Sequence, residues 1–262
     1  MKSPHLTPEN LIGKRFPKDT FGDIKVALVG FCPPPSMLSE YEVQDTSDQY
    51  FIHLSPYSVK ICEYNGIRFL SLFHVYGGPV SSATVEELAY YGIETILAYG
   101  LAGGLGTKDL KLGDFYLVES AKTADGTTRH YTKKPVSSSD TKLNDLIARF
   151  APFNFKGVRA HTNDTIYREY DEELQQAVNK DCDIINCDSS HLFAVSEEVG
   201  IAVTQIGVIS DVVAGSRKWE SSLASMLKED AESPLELTGH IIKMYIKQLM
   251  PLLCSTKVGS TS

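Results

Sequence analysis

The sequence predicts a single α/β domain with a central mixed, mostly parallel sheet flanked by helices. Short, nearly continuous apolar runs, which are typical of strands buried on both faces, alternate along the chain with longer amphipathic stretches. Gly-rich segments follow several of these runs, as expected where a strand ends and the chain turns toward a helix. The 262 residues suit one large domain, and no linker or change in composition divides them.

The first half of the chain begins this alternation. Val85, Leu88 and Ala89 share one face of the first predicted helix, and Gly92 is a natural stop at its end. Strands are predicted over residues 24–30, 68–75, 95–99 and 114–120, and helices over residues 80–92 and 141–150.

The second half repeats the pattern without repeating the sequence. Ile241, Ile242, Tyr245 and Leu249 lie on one face of a long closing helix. Strands are predicted over residues 156–162, 183–188 and 201–211, and helices over residues 171–180, 189–200 and 235–253. We therefore expect an N-terminal arm over residues 1–22, the α/β domain over residues 23–253 and a disordered tail over residues 254–262.

Composition excludes several classes of protein. The net charge of −8 and the lack of a basic stripe argue against a nucleic-acid partner. No apolar run approaches the roughly 20 residues of a membrane span, and the N-terminus lacks the apolar core of a secretory signal. The five cysteines show no CxxC or CxxH spacing, which favours free thiols in a reducing cytoplasm and no metal site. We expect a cytoplasmic protein without a cofactor.

Candidate site residues follow the buried runs. Ligands bind beyond the carboxyl ends of the strands in such sheets, so side chains at these positions are expected to share one rim. Asp188 and Asp211 each follow a buried run, and each is also suited to cap the N-terminus of a helix. The other residues at these ends are Gly30, Gly77, Gly78, Gly100, Cys187 and Ser210.

The segment "ETILAYGLAGGLG", residues 94–106, is the most unusual of these strand ends. Its apolar run is predicted to stop at Tyr99 and to continue as a Gly-rich loop of the kind that approaches phosphate groups closely. The loop contains no Lys, Arg or hydroxyl side chain. The geometry of an anion-binding loop is therefore predicted without its usual charges.

These motifs resemble the nucleoside phosphorylase and nucleosidase superfamily, which includes purine nucleoside phosphorylase, uridine phosphorylase and methylthioadenosine nucleosidase. The resemblance is carried by "HVYGGPVSSATVEELAYYGIETILAYGLAGGLG" at residues 74–106, and it spans roughly residues 3–250. Further matches are "SPHLTPEN" at 3–10, "NDTIYREY" at 163–170, "IINCDSSHLFAVSEEVG" at 184–200 and "VISDVVAG" at 208–215.

The resemblance implies a role for each matching residue. Asp211 stands where purine enzymes keep the acid that protonates N7 of the base, and Asp188 stands where a Glu usually binds the ribose 2′- and 3′-hydroxyls. Cys187 replaces a Met beneath the sugar, and Ile166 replaces a base-stacking Phe. His5 matches a His that reaches the ribose of a neighbouring subunit, which implies a homodimer or homohexamer with shared sites. The implied base-binding set is Ile166, Tyr167 and Ser210, and the loop lining the former phosphate site is Gly30, Gly100, Leu101 and Ala102.

The residues that bind phosphate in the family are missing. Ala98 and Leu101 stand where the phosphorylases have an Arg and a Ser or Thr, and Pro34 stands in place of a second Arg. A buried phosphate without paired cations is strongly disfavoured. Tyr170 and Glu172 stand in place of the Gln-x-Arg pair of the uridine enzymes, so specificity for a pyrimidine base is not supported.

Three interpretations remain open. Hydrolysis of a purine nucleoside is favoured, although the Glu that activates water in the family's hydrolases is also missing and His53 or Asn163 would have to position the water. A divergent phosphorylase would need a rebuilt phosphate site, with Arg168 and Lys60 as candidates. A nucleoside-binding sensor without catalysis is the third interpretation.

Overall fold

The computed structural model describes residues 4–213, 220–221 and 233–255 and has an 11-stranded mixed sheet at its centre. The strand order is β11-β10-β6-β8-β9-β5-β1-β4-β3-β2, with β7 on β6. The strands are β1 (Val26–Gly30), β2 (Glu42–Asp45), β3 (Val59–Tyr64), β4 (Ile67–Leu72), β5 (Thr95–Gly104), β6 (Phe115–Thr123), β7 (Val136–Ser138), β8 (Phe155–Thr162), β9 (Ile184–Asn186), β10 (Ala202–Val212) and β11 (Glu220–Ser221).

Strand β5 is the hub of this sheet. It pairs with β1, with β9 and with β10, and the β5–β10 pairing closes a ring that runs through β6, β8 and β9. All five residues of β1 are buried, as its continuous apolar run predicts. Strands β1, β4, β5 and β10 run in the same direction, so their carboxyl ends lie on one side of the sheet, whereas β9, which precedes Asp188, runs antiparallel to β5.

Helices cover both faces of the sheet. Side chains of α2 and α6 join the core on one face, and side chains of α4 and α7 join the core on the other. The helices are α1 (Pro8–Leu11), α2 (Gly78–Tyr90), α3 (Thr128–Tyr131), α4 (Thr141–Phe150), α5 (Asp171–Val178), α6 (Ser189–Val199), α7 (Pro234–Met244) and α8 (Met250–Ser255). No helix among these described residues is long and apolar enough to cross a membrane.

The predicted fold class is confirmed, and the structure changes its details. Five of the eleven strand pairings are parallel, so the sheet is more evenly mixed than predicted. The sequence interpretation missed β2, β3 and β7, which are short or half exposed and pair only with antiparallel neighbours. Such strands lack the continuous apolar run that identifies a buried strand.

The two ends of the chain also differ from the prediction. Thr7 caps α1, and from Ile12 onward the predicted arm packs on its own domain, with Ile12, Phe16 and Phe21 buried in the core. At the other end α7 continues through a π-helical turn at Tyr245–Leu249 into α8, so the helix enters the predicted tail and ends at Ser255. Residues 256–262 of that tail lie outside the described part of the chain.

The β5–β10 pairing gives a first testable prediction. Gly207 of β10 lies opposite Gly100 of β5, and a methyl group at Gly207 would overlap the buried Tyr116 hydroxyl and lie 2.5 Å from the Gly100 carbonyl oxygen. We expect Gly207→Ala to lower the free energy of unfolding by about 1–3 kcal/mol, because the backbone of β5 would have to move. Urea unfolding measures the loss. Gly104→Ala is the matched control, since its nearest neighbour would lie at 3.5 Å; equal losses in both variants would contradict the prediction.

Candidate active site

The strand ends meet at a fork beside β5. One edge of β5 pairs with β10 along its whole length, from Thr95 to Gly104. The other edge pairs with β1 as far as Tyr99 and with β9 from Gly103 onward. Residues 100–102 therefore lie where β5 has parted from one neighbour and has not yet met the next. Ligands bind at such divergences in α/β sheets.

The predicted Gly-rich loop is wrong, because this segment is part of a strand. Gly100, Leu101 and Ala102 lie within β5, opposite Gly207, Val208 and Ile209 of β10. The local preference of glycine for turns is outweighed by hydrogen bonds to a strand about a hundred residues away.

Gly30 is also a strand residue and not part of a loop. It ends β1, and a methyl group at this position would lie 2.5 Å from the hydroxyl of Tyr99. The glycine accommodates a tyrosine ring of the same chain. Its small size is thus explained by packing, without a bound anion.

Asp188 lies at the centre of the fork, between β9 and α6. Asp188 is 6% exposed, and a methyl group at Gly100 would lie 3.4 Å from its Oδ2. Gln205 donates a hydrogen bond from Nε2 to the same oxygen over 3.2 Å. Asp188 occupies the N-cap position of α6, yet its side chain makes no capping hydrogen bond. Burial raises the pKa of Asp188 to about 8, despite the hydrogen bonds from Gln205 and the backbone of Cys187.

Cys187 and Tyr76 flank this carboxylate. Burial and then the charge of Asp188 raise the pKa of the half-buried Cys187 thiol to about 12. Burial, Cys32 and Asp188 likewise raise the pKa of Tyr76 to about 12, although half of the Tyr76 side chain is exposed. A polar ring that is near Asp188 and open to solvent is suited to contact a ligand. Tyr76 was not predicted, although it directly precedes the Gly77-Gly78 turn.

Asp211 belongs to β10, and its side chain lies beside a residue further along β5, because a methyl group at Gly103 would be 3.1 Å from its Oδ2. Ser210 donates a hydrogen bond to Asp211 Oδ1 over 2.8 Å. The β5–β10 register shifts between Ile209 and Asp211, so Ser210 is the extra residue of a β-bulge. Bulges redirect side chains and are frequent beside active sites. Here the bulge sets the direction of Asp211 relative to the regular strand before it.

Glu169 is a further acidic residue near Asp211 and Cys187, and the sequence interpretation missed it. Burial, the charge of Asp211 and the charge of Glu173 raise the pKa of Glu169 to about 7. The charge of Glu169 in turn contributes to the raised pKa of Cys187. Glu169 therefore lies within electrostatic reach of both Asp211 and Cys187. It is part of the segment "NDTIYREY", but no local signal distinguishes it from the other acidic residues there.

The remaining predicted residues are exposed in this structure, except Asn163, which is half-buried. Ile166 and Tyr167 form a 3₁₀ turn, and 59% and 86% of their respective surfaces are accessible. His5 is exposed just before α1. His53 is exposed in the loop before β3, and the half-buried Asn163 donates its backbone N–H to Asn186.

The residues considered for phosphate binding contact other parts of the chain. Ala98 is fully buried, and its carbonyl oxygen accepts a hydrogen bond from Tyr245 over 2.9 Å. Lys60 forms an ion pair with Glu42 at 3.2 Å, and Arg168 donates to the carbonyl oxygen of its neighbour Tyr167. The two candidate cations thus already have partners within the chain.

An open cavity of about 610 Å³ adjoins the rim at the start of α2. Its wall includes Gly77, Gly78, Gly126 and Asp164. Asp164 accepts a hydrogen bond from the backbone of Gly126 at 2.7 Å, and its charge contributes to the raised pKa of Cys187. The cavity therefore approaches the Cys187 side of the fork.

Comparison with known proteins identifies the family. Residues 36–247 match the family model of the phosphorylase superfamily, and the chain belongs to this family. The uncharacterized protein R802 of Acanthamoeba polyphaga mimivirus is 30% identical over 252 residues, covering 93% of this chain and 99% of its own. A guanosine phosphorylase of Halorubrum lacusprofundi is 25% identical over 191 residues, covering 70% of this chain and 78% of its own.

The fold agrees with this assignment. The structure of purine nucleoside phosphorylase from Toxoplasma gondii in complex with immucillin-H superposes with a TM-score of 0.69 at 20% identity, covering 97% of this chain and 99% of the other. The predicted resemblance to nucleoside phosphorylases is thereby confirmed at the level of family and fold.

Proposed function

We propose that this chain cleaves the N-glycosidic bond of a purine nucleoside and that water is the attacking group. The observation that carries the proposal is the fork itself. It brings the carboxyl groups of Asp188 and Asp211 beside one strand, β5, and the uncharged Ala98, Leu101 and Pro34 occupy the positions where the resemblance places the phosphate ligands. The guanosine phosphorylase relative supports a purine base.

Cleavage of the bond places positive charge on the ribose and negative charge on the departing base. Water forms the new bond to C1′, and the electrons of the broken C–N bond pass to the base. Asp211 donates a proton to N7 of the base, a contribution typically worth roughly 10²–10⁴-fold in rate. Asp188 accepts hydrogen bonds from the ribose hydroxyls, and charge-assisted bonds of this kind orient the sugar.

Glu169 is our candidate for the group that accepts the proton from water. Its pKa of about 7 leaves it partly ionised at neutral pH, which suits a general base. Its charge also interacts with that of Asp211, and in this proposal the proton returns from Glu169 to Asp211 after each cycle. Glu169 replaces His53 and Asn163, which the sequence alone nominated for this role.

A second subunit completes the proposed site. His5 is exposed just before α1, and the resemblance implies that it contacts the ribose bound by a neighbouring subunit. We accordingly propose a homodimer or homohexamer with shared sites.

The test is release of free base from adenosine, inosine, guanosine, uridine and 5′-modified adenosines, with and without phosphate. We expect release from a purine nucleoside at a rate that phosphate does not change, with sulfate as the matched anion control. Release that requires phosphate would replace hydrolysis by phosphorolysis. Binding without release would instead favour a nucleoside sensor.

A further inference from the structure

Gln205 is a polar residue in the middle of the buried strand β10. It is fully buried, and both ends of its amide are engaged: Oε1 accepts from Ser189 Oγ over 2.7 Å, and Nε2 donates to Asp188 Oδ2 over 3.2 Å. Burying an amide among apolar strand residues costs free energy unless its hydrogen bonds are made. Its two partners lie next to each other at the start of α6, and one of them is the carboxylate of the proposed site.

The bond from Ser189 belongs to a longer buried chain of hydrogen bonds. Thr162 donates from Oγ1 to Asn186 Oδ1 over 3.2 Å, and Asn186 donates from Nδ2 to Ser189 Oγ over 2.6 Å. Ser189 then donates to Gln205, and Gln205 donates to Asp188. Every member is at most 6% exposed. All donors point toward Asp188, so each bond polarises the next and strengthens the last one.

This arrangement fixes which oxygen of Asp188 is held. Oδ2 accepts from Gln205 and lies beside Gly100. The direction of the amide is not free, because the Ser189 hydroxyl occupies its oxygen end. Rotation of the Asp188 carboxyl would break the last bond of the chain.

We propose that Gln205 is a positioning residue that holds Oδ2 of Asp188, orients Oδ1 toward the ligand, and thereby sets the preference for a ribose that carries a 2′-hydroxyl. The proposal rests on the proposed function, in which Asp188 binds the ribose hydroxyls. An Asp is one methylene shorter than the Glu that the resemblance implies at this position, so its reach depends more on orientation. A site built to pair with a hydroxyl rejects the analogue that lacks it.

The test compares the affinities of guanosine, inosine and adenosine with those of their 2′-deoxy forms by calorimetry. Gln205→Met keeps the length of the side chain and removes its amide. Above pH 8, where Asp188 is ionised, we expect a loss of about 10- to 100-fold for the ribonucleoside and little change for the 2′-deoxynucleoside, because the hydrogen bond that orients this charged group is lost. In addition, the midpoint of the pH dependence of ribonucleoside affinity should move upward, since the amide favours the charged form of Asp188.

Thr204→Val is the matched control. Thr204 is the neighbouring buried residue on β10, and its hydroxyl donates to Asn144 on α4, away from Asp188. The control should leave the ribo-to-deoxy ratio unchanged. Equal losses for both nucleosides in Gln205→Met, or an unchanged ratio, would overturn the proposal by reducing Gln205 to a structural role. If Gln205→Met does not fold, Ser189→Ala, which removes the bond to Oε1, should lower the ratio in the same direction.

Asp188→Asn distinguishes a failure of the positioning role of Gln205 from a failure of the assignment of Asp188 to the ribose. If it collapses the ribo-to-deoxy ratio while Gln205→Met does not, the positioning role alone is wrong. If it also leaves the ratio unchanged, or if the wild-type protein binds none of the purine nucleosides, the assignment of Asp188 to the ribose is wrong and the positioning role is overturned with it.

Discussion

Asp211→Asn is expected to lower the rate of base release by about 10²- to 10⁴-fold while nucleoside affinity changes little. The amide keeps the shape of the side chain, and its oxygen can still accept the 2.8 Å hydrogen bond from Ser210. It cannot deliver a proton to the base. Single-turnover rates at saturating nucleoside measure the chemical step, and calorimetry measures the binding.

A nucleoside that needs no proton makes this test specific. In 7-methylguanosine the base already carries positive charge, so its release should be nearly the same in Asp211→Asn and in the wild type. Asp140→Asn is the control variant, because Asp140 caps α4 by accepting from Leu143, and Asn caps helices equally well. A wild-type rate in Asp211→Asn with the unmethylated nucleoside would remove Asp211 from the role of general acid.

The second large effect is expected in the pH dependence of stability. The pKa of Asp188 is raised by burial to about 8 in the folded protein, against about 4 in the unfolded chain. Between these values the folded protein holds a proton that the unfolded chain has lost. The stabilisation is therefore complete below pH 4 and is lost as the pH rises through 8, at up to about 1.4 kcal/mol per pH unit.

Asp188→Asn removes the carboxyl group that binds this proton and should abolish the corresponding slope of unfolding free energy against pH. The difference in unfolding free energy, wild type minus variant, is expected to fall by an amount of the order of 5 kcal/mol between pH 4 and pH 8. Urea unfolding at a series of pH values measures it. The buried Glu87, whose pKa burial raises to about 7, is present in both proteins and cancels in the difference. A difference that stays constant over this range would show that Asp188 is not protonated in the folded state.

For Asp125→Asn we expect a pH dependence of stability with the opposite sign. Burial alone would raise the pKa of Asp125, but hydrogen bonds from Ser190 and Thr128 together lower it. Its stabilisation is present above pH 4 and is lost as the pH falls, so its removal should cost most stability at neutral pH. The two variants together test whether burial or hydrogen bonding controls each carboxyl.

The protonated state of Asp188 has a consequence for binding. Ribose hydroxyls interact more strongly with a carboxylate than with a neutral carboxyl group, so ligand binding should favour the ionised form and release a proton. Affinity for the ribonucleoside is then expected to rise with pH until about 8. The ribose site and the pH dependence of folding thus report on one group.

The sequence by itself determined the family, the fold class and the strand-end positions of Asp188 and Asp211. The fold class and the strand ends depend on local signals, because apolar runs identify the buried strands and show where they end. The rule that ligands bind beyond the carboxyl ends of parallel strands led to Asp188 and Asp211, although Asp211 lies within β10 and Asp188 follows β9, which is antiparallel to β5. The absence of cations at Ala98, Leu101 and Pro34 is likewise readable without a structure.

Only the tertiary structure decided what surrounds these residues. The glycines after Tyr99 are locally suited to a loop, yet pairing with β10 makes them a strand, because Gly100 meets Gly207. The pKa of Asp188 depends on burial by distant elements, and Glu169 matters because the fold brings it near Asp211. Pairing and burial join residues far apart in the chain, and no local pattern encodes which of them will meet.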